Sequence, residues 1–433
     1  MSRLKIRAPP EWGVEPVQKK YKILRGVDFF VLWSSLGVGL LVLVAGSLLV
    51  PGLSLLDALI VSLIGSIIGS ILLASAGLIG ARYGVPTMVS LRPILGVRGS
   101  YIPTALNVLQ LVGWTAFELM IMGQAASNIS GQFLGEHTQM FWIIIFALWC
   151  TGLAIGGPLI FVRKWLERVA IWLVYFSTVW ITVQVFSSPR VWETLFLPGD
   201  GSLPILLALD LVIAMPISWW PLISDYNRFS STARGGFVGT FLGYMVANTW
   251  FYFLGAALVS VMGIQDIISS IALLLFGNLA LIFILVDETD NCFADIYSAA
   301  VSGQNILSKV KQWWLAVAAG AICFALAATV PIARYEGFLL FIGSVFSPLF
   351  GILAADYFVL RKRRYDVDEL YRPKGRYWYG QGVNWWAVLA WALGILIYQA
   401  IARWVPWLGA SVPSFLASFV LYLAFGRLSQ RMG

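Results

Sequence analysis

The chain has 433 residues, of which 59% are hydrophobic and only 12% are charged. Soluble domains carry about 25% charged residues, and a mean hydropathy of +0.83 leaves too little polar surface to coat a soluble globule. The composition therefore excludes a soluble, disordered or fibrous protein. Apolar runs of about 20 residues favour a polytopic α-helical membrane protein over a barrel, whose strands would alternate.

Two rare residue types limit the chemistry. Cys150, Cys292 and Cys323 lie in or beside apolar runs without metal-ligand spacing, which favours burial as small hydrophobic side chains. A single histidine, His137, does not suffice for a histidine metal site or proton relay. We therefore expect no cofactor beyond a coupling ion.

Apolar runs predict about twelve membrane spans in an all-α protein. Spans one to five occupy 27–187, spans six to ten occupy 203–360, and two peripheral spans occupy 384–427. A polar cytoplasmic tail (1–26) precedes them, and a polar loop (361–383) separates the last pair. The spans lie near 27–49, 54–80, 101–127, 140–160, 167–187, 203–224, 237–262, 270–299, 313–330, 337–360, 384–402 and 409–427.

The distribution of basic residues predicts the orientation. With the N-terminus in the cytoplasm, 26 of the 29 Lys and Arg residues fall in cytoplasmic segments, and only Arg190, Arg334 and Arg403 lie outside. This split follows the positive-inside rule and predicts a cell-membrane protein with both termini cytoplasmic. The net charge of +8 is thus explained by topology and gives no reason to expect nucleic-acid binding.

Helix-breaking residues occur at corresponding places in spans one and six. Gly37 and Gly39 lie near the middle of span one, while Pro216 and Pro221 interrupt span six. Proline removes a backbone donor, and the freed carbonyls must be satisfied by protein, water or an ion. Matched breaks in positions one and six of a 5+5 arrangement are typical of secondary transporters.

Span eight carries four acids, and the chain has no basic residue between 270 and 308. Three polar residues, Asp287, Asn291 and Asp295, follow one another at i, i+4 and i+8 along one helix face. An ionised acid at the membrane centre costs about 2.5–3.5 kcal/mol on insertion scales, so the cluster needs a cation, a proton or a water-filled cavity. Oxygen ligands without soft donors suit an alkali cation or a proton.

Span three places Trp114 and Glu118 four residues apart, on one face. A planar heterocycle with N–H donors could stack on the indole while the carboxylate accepts its edge donors. Core packing of the tryptophan is the alternative. The neighbouring acid keeps a substrate-binding interpretation open.

Several segments together resemble the nucleobase:cation symporter-1 family of cytosine, hydantoin and hydroxymethylpyrimidine permeases, over nearly the whole chain. The likeness to the hydroxymethylpyrimidine permease-like branch is strongest in PPEWGVEPV and NVLQLVGWT. The segments that carry the resemblance are PPEWGVEPV, VLWSSLGVGLL, LQLVGWT, SWWPLISDYNRFS and YSAAVSGQN.

The resemblance implies a leucine-transporter-type fold of two inverted five-helix repeats, with helices 1 and 6 discontinuous. It also implies cation-coupled uptake of a nucleobase-like substrate. The implied substrate-binding residues are Trp114, Glu118, Trp219, Asp295, Val38 and Pro216. The implied Na⁺ ligands are Ser34, Gly37, Val286, Thr289 and Asp290.

Three residues depart from the family pattern. Asp290 stands where a hydroxyl is expected, so the coupling ion is Na⁺ held by a carboxylate, or H⁺. Asp295 replaces an amide. Pro216 occupies the position of the span-six aromatic that closes the substrate stack, and either Trp219 or Trp220 is expected to take that role.

The sequence therefore predicts a symporter that imports a pyrimidine-type base or thiamine precursor, hydroxymethylpyrimidine or cytosine. A purine, uracil, hydantoin or allantoin is the alternative substrate. A membrane-embedded enzyme is disfavoured because the acids have no nucleophile partner. A channel is disfavoured because the polar residues form an asymmetric site and not a repeated filter.

Overall fold

The structure is a computed structural model that describes residues 13–135, 138–157, 171–331 and 334–431. His137 and the first part of span five lie outside the described residues. Within the described residues the regular elements are helices, joined by turns and two isolated β-bridges. The helices that overlap the predicted spans are α1 (Gly26–Ser35), α2 (Leu40–Ser47), α3 (Leu55–Tyr83), α4 (Tyr101–Leu134), α5 (Gln139–Gly156), α6 (Ile171–Phe186), α7 (Ile205–Ser218), α8 (Ile223–Asn227), α9 (Ala233–Met262), α10 (Gly277–Ile306), α11 (Gln312–Ala327), α12 (Tyr335–Ala354), α13 (Trp385–Trp404) and α14 (Ser411–Arg431).

All twelve predicted spans overlap a helix. By length and composition, seven described helices are apolar enough to cross a membrane, and the bent pair α1–α2 makes up to eight. Three shorter apolar helices, α6, α11 and α14, account for three more predicted spans. The remaining one is α10, which carries the four acids. The all-helical fold is confirmed, whereas the count of twelve spans and the assignment of 27–187 and 203–360 to two repeats stay predictions.

Local sequence explains where several helices begin and end. Ser54 precedes α3, and its hydroxyl accepts a hydrogen bond from the backbone N–H of Asp57 at 3.0 Å, which satisfies one free donor of the first turn. Thr232 caps α9 in the same way. Gly84 ends α3 with a φ of 77°, the left-handed conformation that favours glycine at helix ends.

The predicted break in span one is observed between Ser35 and Leu40, where the two helix axes meet at 61°. Span six is interrupted differently. Pro216 stays inside α7, and the interruption is a 3₁₀ turn at Trp220–Leu222, after which the chain continues as α8. The stretch Ile205–Asn227 is nevertheless long and apolar enough to form one membrane span.

The helices form two groups. Helices α1, α2, α3, α7 and α9 pack on one another, whereas α4, α5, α10 and α11 form a second group. The peripheral helices α13 and α14 pack mainly on α12 and on each other. The breaks of spans one and six therefore belong to the first group and face the second.

Helix α9 approaches the broken helix through glycines. A Cβ at Gly243 would clash with the carbonyl of Phe30 in α1, and a Cβ at Gly255 would clash with the carbonyl of Leu43 in α2. Small residues allow such backbone contact between membrane helices. The seam fixes both halves of the broken span against α9.

We predict that Gly255→Ala lowers the stability of the protein. The added methyl group must push α2 away from α9, and overpacking of this kind typically costs about 1–3 kcal/mol. Thermal unfolding of the detergent-purified protein measures the effect. Gly131→Ala in α4 is the matched control, because a Cβ there meets no atom within 4 Å. Equal melting temperatures for the two variants would contradict the close packing.

Candidate functional site

A buried cavity lies between the break of span one, α4, α7 and α10. Its volume is about 20 Å³, which is room for about one water molecule. A six-membered ring needs more space, so binding of such a ring requires the two helix groups to move apart. The polar and aromatic side chains that line the cavity are Trp114, Glu118, Trp219, Glu288, Asn291 and Asp295.

Side chains of α10 satisfy the broken backbone of span one. The backbone N–H of Leu40, at the start of α2, donates to Oε2 of Glu288 at 3.2 Å. The carbonyl of Val38 accepts from the amide of Asn291 at 3.2 Å. Free N–H groups at a helix start attract a carboxylate, so the break and the acid stabilise each other.

Side chains of α4 satisfy the interruption of span six in the same manner. Gln110 donates to the carbonyl of Ser218 at 3.1 Å, and Asn107 donates to the carbonyl of Pro221 at 3.4 Å. Both amides are fully buried. Each break in the first helix group is thus capped by polar side chains from the second group.

The two adjacent tryptophans of span six have different environments. Trp219 lines the cavity and packs edge-on against Trp33, with ring centroids 6.0 Å apart. Trp220 points to α12, where its ring lies 5.4 Å from that of Phe350. Of the two candidates for closing a substrate stack, only Trp219 is placed at the cavity.

Pro216 is not placed as the resemblance implied. Its ring packs against α3, where a Cβ at Gly69 would clash with it. Val38 contributes its carbonyl to the break, but its side chain does not line the cavity. These two residues therefore shape the site through backbone and packing, and a substrate contact of Pro216 or Val38 stays a prediction.

Trp114 and Glu118 both reach the cavity from α4. The indole of Trp114 is supported by α12, with Tyr335 and Phe338 edge-on at 5.7 and 5.5 Å between ring centroids. Glu118 follows one turn later and is 4% exposed. The packing holds the indole in place while leaving part of it on the cavity wall.

Four buried polar atoms of the cavity residues have no hydrogen-bond partner among the described residues. They are Nε1 of Trp114, Oε2 of Glu118, Oε1 of Glu288 and Oδ1 of Asn291. Buried polar groups are normally paired, and an unpaired one costs about 1–3 kcal/mol. One donor and three acceptors thus remain for a ligand that enters this cavity.

The structure does not bring the predicted cation ligands to one point. Val286 and Thr289 line a separate, mostly apolar pocket between α4, α5 and α10. Thr289 donates to the carbonyl of Val286 at 2.7 Å, so these two expected ligands adjoin each other on α10. Both carboxylate oxygens of Asp290 are buried without a hydrogen-bond partner among the described residues. The hydroxyl of Ser34 instead contacts that of Tyr175 at 2.8 Å, and Gly37 lies against Ala247.

The contact between α1 and the acids of α10 involves residues outside the predicted cation site. Ser35 donates to Oδ1 of Asp287 at 2.5 Å. Among the described residues, no group of three or more His, Cys, Asp or Glu side chains is placed to hold a metal ion. An alkali-ion site here would therefore rely on hydroxyls and carbonyls as well as carboxylates, and its ligand set stays a prediction.

Sequence reasoning missed Glu288 as a cavity residue. It placed Asp287 with Asn291 and Asp295 on one face, whereas the cavity face of α10 carries residues 288, 291 and 295. Asp287 turns toward Ser35 instead. The i, i+3, i+7 spacing of the three cavity residues is a helical pattern and was available as a signal.

A second missed feature is a buried polar ladder that leaves the cavity along α4 and α10. Asn107 donates to Ser302 at 2.9 Å, and Asn305 donates to Thr104 at 2.8 Å. Arg92 closes the ladder with a 2.7 Å hydrogen bond to Asn305. The residues lie on the face that the charge distribution assigns to the cytoplasm.

Together, the broken span, the buried acids of α10 and the small cavity beside them are the features of a helical membrane transporter. A family model described as "Permease for cytosine/purines, uracil, thiamine, allantoin" matches residues 16–420. The chain belongs to this family of permeases. The predictions of the family and of a transporter without enzyme activity are confirmed.

Curated relatives cover most of the chain. The allantoin permease of Bacillus subtilis is 28% identical over 82% of this chain and 80% of its own. The cytosine permease of Escherichia coli K12 is 27% identical over 83% and 81%. The hydantoin permease of Microbacterium maritypicum is 23% identical over 84% and 79%.

Solved structures share the fold. Mhp1, a nucleobase-cation-symport-1 family transporter, matches in a closed conformation with bromovinylhydantoin bound, with a TM-score of 0.87 and 20% identity. That match covers 97% of this chain and 96% of Mhp1. A Na⁺-coupled sialic acid symporter matches with a TM-score of 0.61 and 13% identity, covering 96% and 91%.

The environments of the two tryptophans predict opposite phenotypes. Trp219→Ala should weaken binding of the permeant base roughly 5- to 150-fold, since stacking on an aromatic ring contributes about 1–3 kcal/mol. Trp220→Ala should leave the affinity near wild type and lower the melting temperature, because it empties a core position. Ligand-induced thermal shifts and unfolding of both variants provide the measurement. The reverse pattern would place Trp220 at the substrate.

Proposed function

We propose that the chain imports a pyrimidine-type nucleobase or thiamine precursor, hydroxymethylpyrimidine or cytosine, by symport with Na⁺ or H⁺. Transport proceeds by alternating access across the cell membrane, with both termini in the cytoplasm. The substrate stacks on Trp114 and Trp219 and is read at its edge by Glu118 and Asp295. No nucleic acid takes part.

The excess of acceptors in the cavity is the observation that carries the substrate proposal. Glu118, Glu288 and Asn291 each hold an unpartnered buried oxygen, whereas Trp114 holds the one unpartnered donor among the cavity residues described. Asp295 adds a further carboxylate, 2% exposed. A ligand that presents adjacent donors fits this set better than one that presents carbonyls.

A 4-aminopyrimidine protonated at its ring nitrogen has such an edge. Its exocyclic amine and ring N–H lie side by side and match an ionised carboxylate in two parallel hydrogen bonds. Uracil and hydantoin alternate carbonyl and N–H groups, so one of their carbonyls would face an acceptor. A cavity with an excess of acceptors therefore favours cytosine or hydroxymethylpyrimidine.

The alternative substrates are a purine, uracil, hydantoin or allantoin, and two relatives are named as permeases for allantoin and hydantoin. An amide that offers one donor and one acceptor would favour these alternating rings. The amide nitrogen of Asn291, however, donates to the carbonyl of Val38. This bond uses one of the two amide N–H groups, while the oxygen has no partner among the described residues. The acceptor-rich interpretation therefore rests mainly on the carboxylates of Glu118, Glu288 and Asp295.

The coupling proposal rests on the position of Asp290. Its carboxylate is fully buried, unpartnered among the described residues, and one residue beyond Thr289. A buried carboxylate requires a compensating cation or proton. Glu288 of the same helix lines the substrate cavity. A cation at Asp290 and a substrate in the cavity therefore both contact α10, which couples their binding.

Competition uptake into proteoliposomes tests the substrate proposal. Cytosine or hydroxymethylpyrimidine should compete roughly tenfold or more better than uracil or hydantoin, since an unpaired buried group costs about 1–3 kcal/mol. Glu118→Gln should reduce that preference. Glu193→Gln, at an exposed residue outside the cavity, is the matched control. Preference for uracil or hydantoin in the wild-type protein would contradict the proposal.

The coupling ion is tested by measuring substrate affinity against Na⁺ concentration at constant ionic strength, and separately against pH. With Na⁺ coupling, substrate and Na⁺ raise each other's affinity by the same factor. Asp290→Asn should flatten this dependence, whereas Asp210→Asn should not, since Asp210 is a buried acid already held by the N–H groups of Ala410 and Ser411.

Unchanged Na⁺ dependence in Asp290→Asn would remove this residue from the cation site. A wild-type response to pH alone would identify the proton as the coupling ion.

A further inference from the structure

A second cavity, remote from the transport site, lies where the loop 361–383 meets the ends of α13 and α14. Its volume is about 1330 Å³. Three tryptophans and five basic residues line it, together with Asp356 and Leu360 from the π-helical turn that follows α12. It shares no lining residue with the cavity described above.

Four of the five cations are uncompensated. The side chains of Lys362, Arg364, Lys374 and Arg376 are exposed and make no hydrogen bond or ion pair with described residues. The fifth, Arg361, pairs with the buried carboxylate of Asp356 at 2.8 Å. The cavity thus carries a strong positive potential.

The neighbouring acid Glu369, outside the cavity lining, offsets only part of these charges, through attraction to Arg372 and Arg376. Glu369 accepts from the backbone N–H of Arg376 at 2.6 Å and from the guanidinium of Arg372 at 3.1 Å. The backbone N–H of Arg376 and the Arg372 side chain together lower the pKa of Glu369. Its charge is therefore already engaged by other groups.

Aromatic residues place the cavity at the membrane boundary. Trp378, Trp385 and Trp386 line it, and Trp385 is the first residue of α13 and 66% exposed. Tryptophan prefers the headgroup level of a bilayer. Beyond this level, α13 and α14 expose apolar side chains toward the membrane, among them Leu396 and Val420.

We propose that this cavity binds one anionic phospholipid. The lysine and arginine side chains hold the phosphate, the tryptophans pack at the glycerol level, and the acyl chains follow the apolar flank of α13 and α14. Basic pockets between membrane helices on the cytoplasmic side are suited to acidic headgroups. A zwitterionic lipid carries a positive group in its own headgroup, and the four unpaired basic side chains would repel that group.

Lipid titration of the full-length protein, delipidated in neutral detergent, tests the proposal by native mass spectrometry. Dioleoylphosphatidylglycerol should bind with one tight site, and dioleoylphosphatidylcholine should not. Each cation contributes roughly fivefold, from about 1 kcal/mol per basic residue near an anionic surface. The variant Lys362→Gln/Arg364→Gln/Lys374→Gln/Arg376→Gln should therefore lose more than about 100-fold in affinity for phosphatidylglycerol.

The matched control is Lys19→Gln/Arg82→Gln/Arg234→Gln/Lys309→Gln. It removes two lysines and two arginines that are exposed and lie outside the cavity. If the fourfold cavity variant fails to fold, Lys362→Gln/Lys374→Gln should still lose roughly 25-fold by the same arithmetic. The control should keep the tight site.

Three results would overturn the proposal. Equal losses in the cavity and control variants would show nonspecific attraction to acidic lipid. Equal binding of phosphatidylcholine would show that charge does not select the ligand. Displacement of phosphatidylglycerol by inorganic phosphate at equal concentration would identify a site for a soluble anion and not for a lipid.

Discussion

The structure depends on how unpaired backbone groups are satisfied at membrane depth. Hydrocarbon offers no hydrogen bonds, so an interrupted helix persists only where neighbours replace the missing ones. Glu288 and Asn291 of α10 do this at the break of span one. Asn107 and Gln110 of α4 do it at span six. In a 5+5 arrangement, α4 and α10 are spans three and eight, so equivalent helices would serve equivalent breaks.

This arrangement explains why polar atoms reach a cavity whose walls are mostly apolar. Acids and amides needed to hold the breaks are brought to the centre of the bundle, and an oxygen of Glu288 and of Asn291 is left without a hydrogen-bond partner among the described residues. The unpaired Oε1 of Glu288 and Oδ1 of Asn291 belong to side chains whose other atoms cap the backbone. The same residues thus stabilise the fold and present acceptors to a ligand, which connects the interrupted helices to recognition.

Much of this architecture follows from sequence patterns. Apolar runs predict the helices, and Gly37 and Gly39 predict the first break. Spacing together with family resemblance points to Trp114, Glu118 and Asp295, which the structure brings to one cavity. The choice of Trp219 over Trp220 needed the structure. What the patterns did not provide depends on packing between distant segments. Pro216 is accommodated within α7 against Gly69, and the interruption follows at Trp220, whose ring packs on Phe350. The sequence pattern placed Asp287 on the face shared with Asn291 and Asp295, whereas the structure places the next residue, Glu288, on the cavity face of α10.

The glycine contacts of α9 also determine where the molecule can open. At Gly243 and Gly255 the helix backbones touch with no side chains between them. Helices α1, α2 and α9 must therefore move as one rigid body. Among the described residues, three hydrogen bonds, donated by Ser35, Leu40 and Asn291, join that body to α10. At about 1 kcal/mol each, these hydrogen bonds hold the rigid body to α10 less firmly than the glycine contacts hold α1 and α2 to α9. The interface at which the two parts of the transporter separate therefore runs along α10 and through the cavity itself.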